Sequence, residues 1–149
     1  MTTLTLETAT FRTTEEILAL VRGFDDCTLP RERWTHAAHL TVALWNLLQY
    51  DWPEASARVR AGIKRYNAAH AVATTPTTGY HETLTLFWLR RVRSFLEDGR
   101  NEARPLVALA NELTASADKN LPFAYYTRER LFSAEARAVW VEPDLKPLG

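Results

Sequence analysis

The chain has 149 residues and a single cysteine, Cys27. One thiol excludes an internal disulfide and a thiolate metal cage. Charge of either sign is not in excess: 18 basic and 18 acidic residues give a formal net charge of zero. Non-specific nucleic-acid binding depends on basic surface, so the balance argues against it. A local basic patch stays open. No apolar run approaches the length of a membrane span. Residues 1–11 lack the basic start and apolar core of a secretory signal. There is no internal repeat, low-complexity segment or domain linker. These absences leave a cytoplasmic protein without nucleic-acid or membrane partners as the expectation.

What is present is helical patterning. Hydrophobic residues make up 46% of the chain and charged residues 24%, a globular balance with enough length for one sizeable core. Residues 1–12 read as an extended arm. Thr13 and Glu16 form a capping-box pattern, and Ile17, Leu20, Val21 and Phe24 follow at helical spacing, predicting a helix over 14–24. Thr35 caps a second helix over 35–50. Asp51 and Glu54 open a third over 52–69, with Pro53 tolerated in its first turn. A Thr/Pro-rich loop ends at Gly79. The fourth helix is read over 80–97 and the fifth over 102–117. The fourth has a middle, Leu84 to Leu89, apolar on most sides, which marks burial by several neighbours. Residues 123–132 are ambiguous, and Ser133 caps a last short helix over 134–140. The expectation is an all-α, single-domain antiparallel bundle of five to six helices.

If the helices alternate in direction, one end of the bundle collects most of the polar chemistry. It gathers Asp25, Asp26, His36, His39, Tyr66, Asn67, His70, Tyr80, His81, Glu82, Lys119 and Asn120. His36 and His39 are three apart on one helix and therefore neighbours. With His81 they are candidates for a three-imidazole site for a divalent metal (Zn, Fe, Mn, Ni or Cu) with an open position. Glu82 is cast as general base or as a group behind the ligands, and Tyr80 and Tyr66 as orienting a substrate. Trp34, Asn67 and Trp88 are candidate substrate-binding residues, although the two tryptophans also suit core packing.

Three functions stay open on these residues. One is a metal-dependent enzyme acting on a small molecule. Another is a non-catalytic small-molecule or metal-binding module with an aromatic-lined pocket. The third is metal-free acid–base catalysis by His81 and Glu82. Purely structural, hydrogen-bonded histidines are the plain alternative. The basic groups Arg58, Arg60, Lys64, Arg65 and Arg90, Arg91, Arg93 read first as solvated helix faces and second as attractors of an anionic substrate. A homo-oligomer is left open.

Trp34-Thr35-His36-Ala37-Ala38-His39-Leu40, Tyr66-Asn67 and Gly79-Tyr80-His81-Glu82-Thr83-Leu84-Thr85 with Phe87-Trp88 together resemble a family of small uncharacterised bacterial helical proteins. The closing Leu131-Phe132-Ser133, Ala136-Arg137 and Pro143-Asp144-Leu145 are similar to that family's ending. The resemblance implies that His36, His39, His81 and Glu82 belong to one recurring unit, and it carries no activity. In architecture the chain also resembles the DinB-like helical bundles, which hold a metal through three histidines. That likeness is one of fold alone.

Overall fold

The computed structural model describes residues 10–98 and 104–148. Among them are seven α-helices and no strand, packed as a helical bundle. None of these helices is long and apolar enough to cross a membrane.

The first four long helices each start where a side chain satisfies an unpaired backbone N–H. Helix α1 spans Thr14–Asp25, and Thr13 Oγ1 accepts the Glu16 N–H at 3.2 Å. Glu16 Oε1 reaches back to accept the Arg12 N–H at 2.7 Å, one residue further than the expected box. A turn of 3₁₀ helix, Arg31–Arg33, leads to α2 over His36–Gln49, capped by Thr35 on the Ala38 N–H. Helix α3 covers Trp52–Ala69 behind the Asp51 cap. Helix α4 is Glu82–Glu97, two residues later than the pattern suggested. Helix α5, Leu106–Ser116, follows Pro105; the expected start near 102 lies outside the described residues. So does most of the expected N-terminal arm, residues 1–9. The ambiguous stretch resolves into a 3₁₀ turn at Leu121–Ala124 and the one-turn helix α6, Arg128–Leu131. Helix α7, Ala134–Ala138, is capped by Ser133 as expected.

The central helix is α2. It packs against α1, α3, α4 and α5. Its consecutive residues Leu40 to Leu44 are all buried, so at its middle it meets protein on every side. Two polar residues are buried there without a distant partner. Thr41 Oγ1 donates to the Ala37 carbonyl at 2.8 Å, and Asn46 Nδ2 to the Val42 carbonyl at 2.9 Å. These local bonds supply the pairing that burial demands. Helix α4 instead bridges two packing clusters. Leu89 and Val92 enter the main core of α1 to α5, while Phe87 packs with Tyr126, Leu131, Ala136 and Val141 of the C-terminal segment. The Arg90–Arg91 pair, exposed on α4, is why this helix cannot be enclosed.

Close packing at one crossing fixes the site end of the molecule. Gly62 of α3 faces Phe24 of α1, and a Cβ there would stand 2.7 Å from the ring. Phe24 is fully buried and stacks on Trp34, with centroids 4.6 Å apart. The start of α2, the end of α3, the start of α4 and the segment after α5 then share one end, as alternating helix directions require.

Candidate functional site

That shared end holds a cavity of about 590 Å³. The start of α2 contributes His36 and His39, and α3 contributes Asn67. Tyr80, His81 and Trp88 come from the start of α4, Trp34 from the turn before α2, and Lys119 from the segment after α5. Imidazoles separated by 45 positions in sequence therefore face one space. The rest of the wall is mostly apolar: Ala43, Val59, Ile63, Leu84 and Leu89.

Aromatic stacking sets the shape of the wall. Trp34 stacks on His39 at 3.7 Å as well as on Phe24, and tilts against Tyr66 at 5.4 Å. Trp88 meets the His36 ring edge-on at 4.7 Å. Offset and edge-on arrangements of this kind add about 0.5–1.5 kcal/mol per pair beyond area burial. The two tryptophans are thereby held half-buried as wall, each with one imidazole against it.

The tautomers of the α2 histidines follow from their partners, because a carbonyl oxygen can only accept. His36 Nε2–H donates to the Ala117 carbonyl at 3.2 Å, and His39 Nδ1–H donates to the Thr35 carbonyl at 2.7 Å. His36 Nδ1 and His39 Nε2 make no hydrogen bond among the described residues. Desolvation lowers the His36 pKa against the helping Ala117 bond. It pushes His39 down to about 4, with the Thr35 bond opposing and the neighbouring His36 adding to the fall. Both rings are thus neutral near pH 7, and each offers one lone pair.

His81 is in a different situation. It is the N-cap of α4: Nδ1 accepts the Leu84 N–H at 3.1 Å. Nε2–H donates to the Leu131 carbonyl at 2.7 Å, tying α4 to α6. Both ring nitrogens are spent, the ring is buried, and desolvation lowers its pKa. Among the described residues no three His, Cys, Asp or Glu side chains are grouped so as to hold a metal ion. The donor set expected of His36, His39 and His81 does not fit that role. A ligating His81 would have to give up either its cap or its tie to Leu131.

Glu82 and Tyr66, expected at the reacting centre, do not line the cavity. Glu82 is buried and faces α3, where Arg60 Nη2 donates to Oε2 at 2.6 Å and Arg60 Nε to Oε1 at 3.3 Å. Tyr80 O–H donates to the same Oε1 at 2.5 Å. Burial, and next the Glu82 bond, holds the Tyr80 pKa well above the ordinary phenol range. Tyr80 is therefore a fixed donor, its ring exposed to the cavity on one side. Tyr66 is fully buried and donates to the Leu29 carbonyl at 2.7 Å. His70 stacks on Tyr66 at 4.2 Å and hydrogen-bonds the Cys27 carbonyl at 3.0 Å, a structural role.

The loop between α3 and α4 closes one side of the cavity with Val72 and Gly79. Gly79 has φ +84°, and a Cβ there would stand 2.5 Å from the Ala73 carbonyl oxygen and 2.7 Å from Thr74 Cα. Only glycine fits so close a backbone approach at positive φ. Arg137 of α7 donates from Nη1 to the Gly79 carbonyl at 2.9 Å, pinning the loop from outside. The loop also closes on itself: Thr75 N–H donates to the Thr78 carbonyl at 3.0 Å, and the Thr75 and Thr78 hydroxyls are 2.7 Å apart.

Charge at the cavity has one sign. Arg31 and Lys119 line it, both exposed, and no Asp or Glu does. Arg31, Arg60, Gly79 and Arg137 were the residues that sequence reasoning left out of the site. Arg60 had been read first as part of a solvated face and second as an attractor of an anionic substrate. The positive-φ turn had a sequence signal in Gly79 itself, whereas the long-range arginine contacts had none.

A wider, more open groove of about 1010 Å³ runs beside α3, lined by Asp25, Trp45, Tyr50, Asp51 and Arg65 among others. Two of its charges are matched to each other: Arg58 Nε donates to Glu54 Oε2 at 2.8 Å, and the Arg58 guanidinium lies 4.1 Å from the Tyr50 ring centre. The histidine cavity, with unspent lone pairs and an apolar wall, is the better candidate for a binding site. Searched against family models, curated proteins and solved structures, the chain matches none.

Proposed function

We propose that the protein binds a small planar organic molecule in the histidine cavity, as a non-catalytic ligand-binding module. The single observation that carries this reading is the wall itself. Trp34 and Trp88, each packed on a histidine, face an apolar space of about 590 Å³. That volume suits a molecule of one to three rings. Neutral His36 and His39 each have a lone pair able to accept from a ligand O–H or N–H. Binding would use stacking area on the tryptophans and one or two such bonds for orientation.

A metal-dependent enzyme is the less supported proposal, since His81 spends both nitrogens inside the protein. Acid–base catalysis by His81 with Glu82 meets the same objection, and Glu82 in addition is held by Arg60 and Tyr80. Neither carboxylate nor imidazole of that pair is left to reach a substrate.

The test is a tryptophan-fluorescence titration with 2-naphthol, on the wild type and on Asn67→Trp. Asn67 is half-buried in the cavity wall and its side chain makes no hydrogen bond among the described residues, so tryptophan there plugs the space. Saturable quenching in the wild type and its loss in a folded Asn67→Trp support the reading. Equal quenching in both overturns it. Stoichiometric metal retained after purification and lost in His36→Ala would favour the enzyme proposal instead.

A further inference from the structure

We infer that the ligand of this cavity is an acid: a planar aromatic body carrying one anionic group, such as an aromatic carboxylate, with the anion at the mouth between Arg31 and Lys119. The inference rests on the ligand-binding reading above and narrows its chemistry. The chain as a whole is neutral, with 18 basic and 18 acidic residues. Against that balance, the cavity is lined by two cations and by no carboxylate. Both cations are exposed. Neither makes an ion pair or side-chain hydrogen bond among the described residues, whereas Arg58, Arg60 and Arg93 are each matched to a glutamate. The countercharges adjacent in sequence are Glu32, beside Arg31, and Asp118, beside Lys119; neither lines the cavity, and Asp118 Oδ1 accepts the Asn120 N–H at 2.9 Å.

The interior of the cavity excludes the anion itself. His36 and His39 are neutral, held so by desolvation, and His81 is spent as a cap. A carboxylate beside neutral imidazoles and Leu84, Leu89 and Ile63 would be stripped of water without a charged partner, which is costly. The two environments are therefore separated: apolar and aromatic inside, cationic at the rim. An amphipathic acid satisfies both at once. A cation is repelled at the mouth.

The experiment compares 2-naphthoate with its uncharged analogue 2-naphthamide, by tryptophan-fluorescence titration of the full chain. Two exposed cations near the anion are expected to favour naphthoate about tenfold at low salt. At about 1 M salt, where the Debye length is near 3 Å, the preference should shrink to about twofold. Arg31→Gln with Lys119→Gln should abolish the preference, so that naphthoate binds no more tightly than naphthamide. Lys146→Gln, an exposed cation away from the cavity, should leave the preference intact. Equal affinity for the two probes overturns the acid inference and leaves the pocket reading standing. So does a preference that survives in the double variant. Failure of both probes to bind brings down the pocket reading and the inference with it.

Discussion

Replacing His81 by alanine removes two bonds that no other side chain can remake. The Leu84 N–H loses its cap acceptor, and the Leu131 carbonyl loses its donor. Loss of an N-cap costs about 1 kcal/mol. A buried carbonyl left without a donor costs about 1–3 kcal/mol. Leu131 is 1% exposed, so water has poor access to replace the donor, and the upper part of that range applies. The sum is about 3–4 kcal/mol, or a fall in Tm of about 6–16 °C for a chain of this size. Urea unfolding followed by far-UV circular dichroism measures it. His81→Ser restores the cap alone and should recover about 1 kcal/mol. The ordering His81→Ala, then His81→Ser, then wild type follows directly from a histidine with both nitrogens engaged. A loss below about 0.5 kcal/mol in His81→Ala would show that the ring does not hold these partners.

Other perturbations probe other parts of the same account. Gly79→Ala forces a Cβ against the Ala73 and Thr74 backbone at positive φ, and should cost about 2–3 kcal/mol and weaken 2-naphthol binding, by urea unfolding and titration. Arg60→Leu strands the buried Glu82 carboxylate and should destabilise by about 2–3 kcal/mol, whereas Glu82→Leu leaves an Arg60 that can turn to water and should cost less. The double Arg60→Leu/Glu82→Leu variant should be more stable than Arg60→Leu alone, and the opposite ordering in urea unfolding would contradict the pairing. His39 binds its proton less readily folded than unfolded, so the unfolded state takes up protons first as pH falls. Its contribution to stability is complete above the unfolded value near 6.5 and is lost as pH falls towards about 4, a difference of at most about 3 kcal/mol. His39→Gln should flatten the stability curve over that window, and an unchanged slope would refute the assigned burial.

The helices were legible because their starts carry side-chain caps of the usual types. Thr13, Thr35, Asp51 and Ser133 are cap residues that can be read one at a time, and each heads the helix expected of it. The start of α4 was misplaced because its cap is an imidazole, which does the same work as a serine hydroxyl but carries no such signal. Which helix lies at the centre of the bundle was not legible. Apolar content drew attention to residues 84–89, yet α2 is the enclosed helix because Thr41 and Asn46 satisfy themselves on their own backbone. Convergence of the two histidine clusters on one cavity followed from alternating helix directions, which short connections favour. What those histidines do there was not legible. A ring nitrogen's availability depends on carbonyls of Ala117 and Leu131, 81 and 50 positions away, and no spacing rule reaches that far. The same holds for Arg60, whose partner Glu82 lies 22 positions on and across a helix interface.

The most direct measurement of the central claim is the titration of wild-type protein and Asn67→Trp with 2-naphthol, with tryptophan emission as the readout. The account predicts one saturable site per chain in the wild type, with Trp34 and Trp88 quenched, and no saturable site in the plugged variant. Saturable quenching of the same strength in both proteins, or none in either, would contradict it.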